Sequence, residues 1–249
     1  MKPLLAAIRF LTIVPIPGTW GTAEEDLARS VPFFPVVGLL LGASAAGFAW
    51  GVSLSASPML SAALLVVILL SFSGCLHLDG LADTADGFLS SRPREQILEI
   101  MKDSRTGTMG VAAIVCVLLV KFASLASLPG DMFWPVALLM PVAGRSAIVV
   151  QMAILPYARP SGLGSAFYRR PPRWSAIWAA AILAALAWGV LQWRGLIVWA
   201  ACAAAALSVS AHVYRKIGGA TGDTLGAVCE IVEVVPALVL ALGPLGGAR

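Results

Sequence analysis

The chain has 249 residues, 59% of them hydrophobic and only 12% charged, with a formal net charge of +4 and a mean hydropathy of +0.89. A soluble domain of this size carries about 25% charged residues, so composition excludes an ordinary water-soluble fold. The apolar surplus falls in long runs and not in short alternating segments, which excludes a membrane β-barrel and predicts an all-α, polytopic integral membrane helix bundle forming one domain over residues 1–249.

The first 31 residues are mixed. Leu4 to Pro17 is broken by Arg9, Pro15 and Pro17 and shows no signal-peptide cleavage pattern, so it reads as an interfacial or partly inserted helix. A polar connector with Glu24, Glu25 and Asp26 follows. Seven apolar stretches come next, near 32–53, 58–77, 108–128, 132–155, 174–193, 195–213 and 225–244. Each is close to the roughly 20 residues a spanning helix needs. Trp134, Trp174, Trp178, Trp193 and Trp199 sit near their ends, as interface aromatics do. The division of spans five and six rests only on Arg194-Gly195. The four cysteines are scattered through apolar runs without a CxxC pair and read as small apolar fillers.

Basic residues alternate with these spans. Lys2, Arg9 and Arg29 precede the first; Arg92, Arg94, Lys102 and Arg105 follow the second; Arg159, Arg169, Arg170 and Arg173 follow the fourth; Arg215 and Lys216 follow the sixth. Thirteen of the seventeen Lys and Arg thus fall on one side, against Arg194 and Arg249 on the other, with Lys121 and Arg145 inside spans. The bias predicts a cytoplasmic N-terminus, an external C-terminus and three cytoplasmic loops, 77–110, 156–173 and 214–226. It accounts for the basic balance without a nucleic-acid partner; the bilayer is the partner.

The polar residues concentrate in those loops. In His77-Leu-Asp-Gly-Leu-Ala-Asp-Thr-Ala-Asp-Gly87, a helix puts Asp79, Asp83 and Asp86 at i, i+4 and i+7, on one face. Like charges so placed repel unless a cation lies among them, and Mg²⁺ takes carboxylate and phosphate oxygens; the plainer reading is a solvated helix end. In Lys102-Asp-Ser-Arg105-Thr106-Gly-Thr-Met-Gly110, hydroxyls, glycines and cations open a helix. That composition suits an anion at the helix N-terminus, or merely a capped start. In Gly218-Gly-Ala-Thr221-Gly-Asp223-Thr-Leu-Gly226, Asp223 and Glu230 stack seven residues apart, with Glu233 nearby. The alternatives are catalytic carboxylates, or a cap at Asp223 or Thr224 with structural ion pairs from Glu230 or Glu233 to Arg145 or Lys121. Arg145 is a candidate phosphate partner within its span, and Tyr157-Ala-Arg159 a candidate substrate contact. Taken together, these residues describe metal-dependent phosphoryl-type transfer at a cytoplasmic membrane surface, with substrates left open.

The string His77 to Gly87 closely resembles the cobalamin synthase family, the adenosylcobinamide-GDP ribazoletransferases. The resemblance extends over most of the chain: Phe34-Pro35-x-x-Gly38-Leu-Leu-Leu-Gly42, Leu98-Glu-Ile-Met-Lys-Asp-Ser-Arg-x-Gly-Thr108, Arg145, Tyr157-Ala-Arg159, Gly162-Leu-Gly164, and Thr221-Gly-Asp-Thr-Leu-Gly-Ala227 ahead of Glu230. Pro160-Ser161 departs from the acidic residues expected after Tyr-Ala-Arg. The resemblance implies a multi-pass inner-membrane enzyme requiring Mg²⁺, active on the cytoplasmic side. Its reaction would join adenosylcobinamide-GDP to α-ribazole or its 5′-phosphate, yielding adenosylcobalamin or its 5′-phosphate plus GMP.

On that basis Asp79, Asp83 and Asp86 are expected to hold Mg²⁺, with Asp103 completing its shell. Lys102, Arg105 and Arg145 would hold pyrophosphate oxygens, and Thr106, Tyr157, Arg159 and Thr221 would contact substrate. Asp223 or Glu230 would be the general base, with His77 as second choice. The rival expectations are a CDP-alcohol phosphotransferase-like lipid enzyme, suggested by the Asp79-Gly80-Leu81-Ala82 opening, and a membrane transporter, suggested by the charges inside spans. The oligomeric state is left open.

Overall fold

In the computed structural model, residues 1–159, 164–168 and 173–243 are described. In chain order the helices are α1 (Lys2–Leu11), α2 (Glu24–Ala28), a 3₁₀ turn (Val31–Phe33), α3 (Phe34–Ser53), α4 (Pro58–Phe72), α5 (Leu76–Phe88), α6 (Arg94–Ile100), α7 (Thr108–Ala126), α8 (Gly130–Ile154), α9 (Ser165–Tyr168), α10 (Trp174–Leu191), α11 (Trp193–Ile217) and α12 (Gly222–Leu242). Proline stands in the first turn of α1, α3 and α4, where its missing N–H is no loss. No strand forms among the described residues; one isolated bridge pairs Tyr157 with Ala220.

Six helices are long and apolar enough to span: α3 (with the preceding turn), α7, α8, α10, α11 and α12. They start and end within a few residues of the expected boundaries. The second expected span, 58–77, requires correction. It breaks at Ser73-Gly74-Cys75, and α5 leaves α4 at 89°. Gly74 (φ 57°) and Cys75 (φ 62°) are both left-handed, a conformation that cannot continue a right-handed helix. Spans five and six do separate, at Gln192 with φ 54°. The loop expected from 214 begins later, because α11 runs to Ile217 and carries Arg215 and Lys216 in its last turn. Pro160, Ser161, Gly162, Arg169, Arg170 and Arg249 lie outside the described residues.

The bundle is centred on α8 and α12, which pack on each other. α3, α10 and α11 surround α8, while α5, α7 and α11 surround α12. Lipid tails are as apolar as leucine, so helix association there relies on close approach at small residues. Gly38 and Gly42 of α3 lie directly on α8: a Cβ at Gly38 would come 2.8 Å from the Pro141 carbonyl oxygen, and one at Gly42 would collide with that of Leu138. Deep in the bundle, Lys121 of α7 pairs with Glu230 (2.9 Å) and Glu233 (3.0 Å) of α12, and Arg145 of α8 also pairs with Glu233. Two cations and two anions balance, as buried charge requires.

The bundle polarity follows from contacts. The N-terminus of α3, the C-terminus of α4, the N-terminus of α7, the C-termini of α8 and α11, and the N-terminus of α12 all gather at one end, around α5 and α9. The tight connections 54–57, 127–129 and Gln192 lie at the other end. α4 therefore carries the chain back to the α5 end although it has only 15 residues.

Candidate active site

α5 lies across the N-terminal end of α12, and glycine permits this. A Cβ at Gly80 would stand 2.7 Å from the Asp223 carbonyl oxygen, and one at Gly226 would stand 2.9 Å from that of His77. Thr221 caps α12, its hydroxyl accepting from Thr224 N–H (3.3 Å) while the Thr224 hydroxyl accepts from Thr221 N–H (2.9 Å). The segment 156–158 is tied to the loop before α12: Ala158 N–H donates to Ala220 O and Ala220 N–H to Pro156 O, each 2.8 Å. Arg94 fastens the same corner, donating from Nε to Ile217 O (2.7 Å) and from Nη2 to Ala158 O (3.0 Å). The backbone is thus fixed just before Arg159, whose Nη2 reaches Asp223 Oδ2 at 2.9 Å.

These elements enclose a cavity of about 250 Å³. Asp79, Asp223, Arg159 and His77 form its polar side; Phe10 of α1 and Phe167 of α9, with Leu76, Ile148 and Leu225, form the apolar side. The rings of Phe10 and Phe167 lie 4.7 Å apart, and Phe34 meets Phe167 edge-on at 5.7 Å. Gly222 places the first turn of α12, with its spare N–H groups, at the cavity wall. Asp223 Oδ2 also accepts from the Thr221 hydroxyl at 3.3 Å, whereas Oδ1 has no hydrogen-bond partner among the described residues.

Three other carboxylates act on Asp83 beside this cavity. Asp83 is pushed up to about 6 by partial burial and by the charges of Asp79, Asp223 and Asp86, with Arg159 pulling the other way. Asp79 and Asp83 make no hydrogen bond or ion pair among the described residues. An acidic surface with unpaired carboxylates would repel a phosphoanhydride unless a cation neutralised it, so the donor set fits Mg²⁺. No group of three or more His, Cys, Asp and Glu among the described residues is arranged to hold a metal ion. Mg²⁺ takes one or two carboxylates and fills its octahedron with water and substrate oxygens, so a pair of aspartates is the most these residues need to supply.

The other expected site residues are placed elsewhere. Asp86 shares the α5 face, but its carboxylate accepts from Gly107 N–H (2.6 Å) and Gly110 N–H (2.8 Å). The anion expected at the start of α7 is therefore this carboxylate. Asp103 pairs with Arg105 (2.6 Å) in an exposed turn, which pulls the Asp103 carboxyl down to about 2; Lys102 and Thr106 are exposed beside it. Thr221 is buried as a cap. Glu230 lies seven residues, roughly 10 Å, farther along α12 than Asp223, committed to Lys121. Arg145 is buried against Glu233. The structural alternative for Glu230, Glu233, Lys121 and Arg145 describes their geometry. Tyr157 does line the cavity, its ring tilted against that of Tyr168 with centroids 5.1 Å apart.

Phe10, Phe167, Ile148 and Arg94 were not singled out by sequence. The first three look like ordinary apolar residues of a membrane chain, and only tertiary packing collects them around one cavity.

The family model described as cobalamin-5-phosphate synthase matches residues 3–241. Similar curated proteins include one from Roseiflexus sp. (strain RS-1), 41% identical over 242 residues, spanning 96% of this chain and 89% of the relative. Another, from Geotalea daltonii, is 38% identical and spans 99% of both chains. A third, from Pseudomonas putida (strain GB-1), is 40% identical over 98% of this chain and 100% of the relative. All three are named adenosylcobinamide-GDP ribazoletransferase. No solved structure matches the chain. With a family model covering nearly all of its length and full-length relatives near 40% identity, the chain belongs to the cobalamin-5-phosphate synthase family.

Proposed function

We propose that the protein is an adenosylcobinamide-GDP ribazoletransferase, joining adenosylcobinamide-GDP and α-ribazole (or its 5′-phosphate) into adenosylcobalamin (or its 5′-phosphate) and GMP. The observation that carries the chemistry is the meeting of Asp79, Asp223 and Arg159 at one cavity beside the N-terminus of α12, with Asp83 near enough to feel the charges of all three.

The α-ribazole hydroxyl oxygen attacks the phosphorus bonded to cobinamide. A new P–O bond forms to the ribazole, the bond from that phosphorus to the bridging oxygen breaks, and GMP leaves with the bridging oxygen. Asp223 takes the hydroxyl proton on Oδ1, while Arg159 and Thr221 hold Oδ2. Glu230 and His77 are poorer bases for this step: the first is committed to Lys121 at depth, and the ring nitrogens of the second are buried. Asp79 and Asp83 would hold Mg²⁺. When bound, the metal supplies neutralisation of the phosphate oxygens as charge shifts to the leaving group. The first-turn N–H groups of α12 add a fixed positive end for a phosphate.

The basic residues of the cavity end, including Lys102, Arg105, Arg159, Arg173, Arg215 and Lys216, support a cytoplasmic site in the inner membrane. The test is GMP release and adenosylcobalamin formation by purified protein given both substrates, with and without Mg²⁺. Turnover that requires both substrates and Mg²⁺ is expected; no GMP release would overturn the assignment.

A further inference from the structure

Resting on the transferase reading, we propose that Arg94 is a positioning residue for the reaction: its guanidinium ties together the two backbone segments that deliver Arg159 and Asp223, and so sets the contact between them.

Arg159 follows the end of α8, and Asp223 opens α12 just after the end of α11. The chain runs to each of them through a connector, 155–159 on one side and 218–221 on the other. A reacting group needs its partner placed to well within about 1 Å, so the backbone of both connectors must be fixed. They first fix each other at Ala220, which accepts from Ala158 N–H and donates to Pro156 O, each at 2.8 Å.

Arg94 then takes one carbonyl from each side. Its Nη2 donates to Ala158 O at 3.0 Å and its Nε to Ile217 O at 2.7 Å. A peptide group is planar, so the Ala158 oxygen and the N and Cα of Arg159 move as one body. Holding that oxygen aims Arg159. Ile217 O belongs in the same way to the peptide that enters Gly218, whose left-handed backbone (φ 73°) turns the chain out of α11 toward Asp223. Nε and Nη2 sit in one rigid, planar fork, so the two oxygens keep a fixed separation. Arg94 is itself seated by α6, whose Ile97 is buried together with Met101, Phe88, Val213 and Ile217. Past the end of α6, Met101 O lies 3.5 Å from Arg159 Nη2, so the same element backs the Arg159 side chain.

The plainer role is a cap, a basic side chain on the last carbonyl of a helix. A cap accounts for the bond to Ile217 O, the end of α11, but not for the bond to Ala158 O in the other connector. Lys216 supplies the contrast. Its Nζ donates to Phe88 O at the end of α5 at 2.8 Å, a tie of the same kind from α11 that goes to α5 and not to the Arg159 connector.

The test is a series on the full-length protein in nanodiscs with saturating Mg²⁺. Arg94→Met, Arg94→Lys and Lys216→Met are each made in wild type and in Arg159→Met, and kcat, both KM values and the melting temperature are measured. Arg94→Met should lower kcat about tenfold in wild type, as displacement of a reacting group does, and leave the KM for either substrate within about twofold. In the Arg159→Met background the same change should lower kcat less than about twofold, because the group it positions is already gone. Lys216→Met should lower the melting temperature and change kcat by the same factor in both backgrounds. Arg94→Lys reaches one carbonyl at a time and should recover only part of kcat; it carries the same comparison where Arg94→Met does not fold. Arg94 variants that lower the melting temperature with kcat unchanged, or that lower kcat by the same factor in both backgrounds, overturn the positioning role while the transferase reading stands. A wild-type protein that releases no GMP overturns the reading and the positioning role with it.

Discussion

Asp83 is held up near 6 by burial and three neighbouring carboxylates, well above the ordinary aspartate value of about 3.9. The sign is that of a destabilising charge: without metal, the folded state prefers this group protonated. Above pH 6 its repulsion weighs on the fold, and the weight is lifted as pH falls through 6 toward 4. Metal-free protein should therefore gain thermal stability on going from pH 7 to 5, and Asp83→Asn should flatten that trend in a melting series. The Mg²⁺ proposed to bind Asp83 would compete with the proton for the same oxygens, so the Mg²⁺ needed for half-maximal activity should rise as pH drops below 6, with Asp83→Asn lowering activity at least about 100-fold at every Mg²⁺ level. Arg159 acts on the other carboxylate. Arg159→Met removes the 2.9 Å contact that fixes Asp223 and should lower kcat by about 10- to 100-fold, as misplacement of a reacting group does. Arg159→Lys should recover only part, since a point charge does not reproduce the guanidinium fork.

Two helix contacts separate stability from chemistry. Gly42 lies on α8, far along α3 from the cavity, and a Cβ there collides with the Leu138 carbonyl. Gly42→Ala should cost about 1–3 kcal/mol of stability, as overpacking does, seen as a lower melting temperature in detergent with little change in KM. Gly80→Ala pushes α5 off the Asp223 backbone, 2.7 Å away. Because Asp79 and Asp83 ride on α5, this variant should lose activity out of proportion to its loss of stability. The buried ion cluster joins α7, α8 and α12. Lys121→Met strands Glu230, while Glu233 keeps Arg145, and should cost about 3–5 kcal/mol, whereas adding Glu230→Gln and so removing both partners of one pair should regain a good part of it. Thermal unfolding of the single and double variants measures this coupling.

For the molecule as a whole, the question is how many times the chain crosses the bilayer. Six helices pass on length and composition, and α4 bends into α5 at 89°. The α4 C-terminus gathers with the α12 N-terminus at one end, and the count reaches seven when the bent pair α4 and α5 is taken as one span. Seven crossings put the termini on opposite faces. Reporters fused to each end in turn should read opposite faces of the membrane; reporters that read the same face would mean six crossings and a re-entrant α4.

The spans other than the second were legible from hydropathy, because a helix in lipid must satisfy its own backbone and so needs an unbroken apolar run of fixed length. The shared face of Asp79, Asp83 and Asp86 was legible from helical period. What the period could not show is which partner each carboxylate meets: Asp86 turns to the N–H groups of Gly107 and Gly110, while Asp79 lines the cavity with Asp223. Asp223 and Glu230 look equivalent on a helical wheel, yet their difference in depth sends one to the cavity and the other to Lys121. The sequence by itself determined a helical membrane protein with an acidic, phosphate-directed chemistry and the family that carries it. Only the tertiary structure decided which acids meet, that α1 and α9 bring Phe10 and Phe167 to the same cavity, and that the intramembrane charges neutralise one another, because those outcomes depend on contacts between helices far apart in the chain.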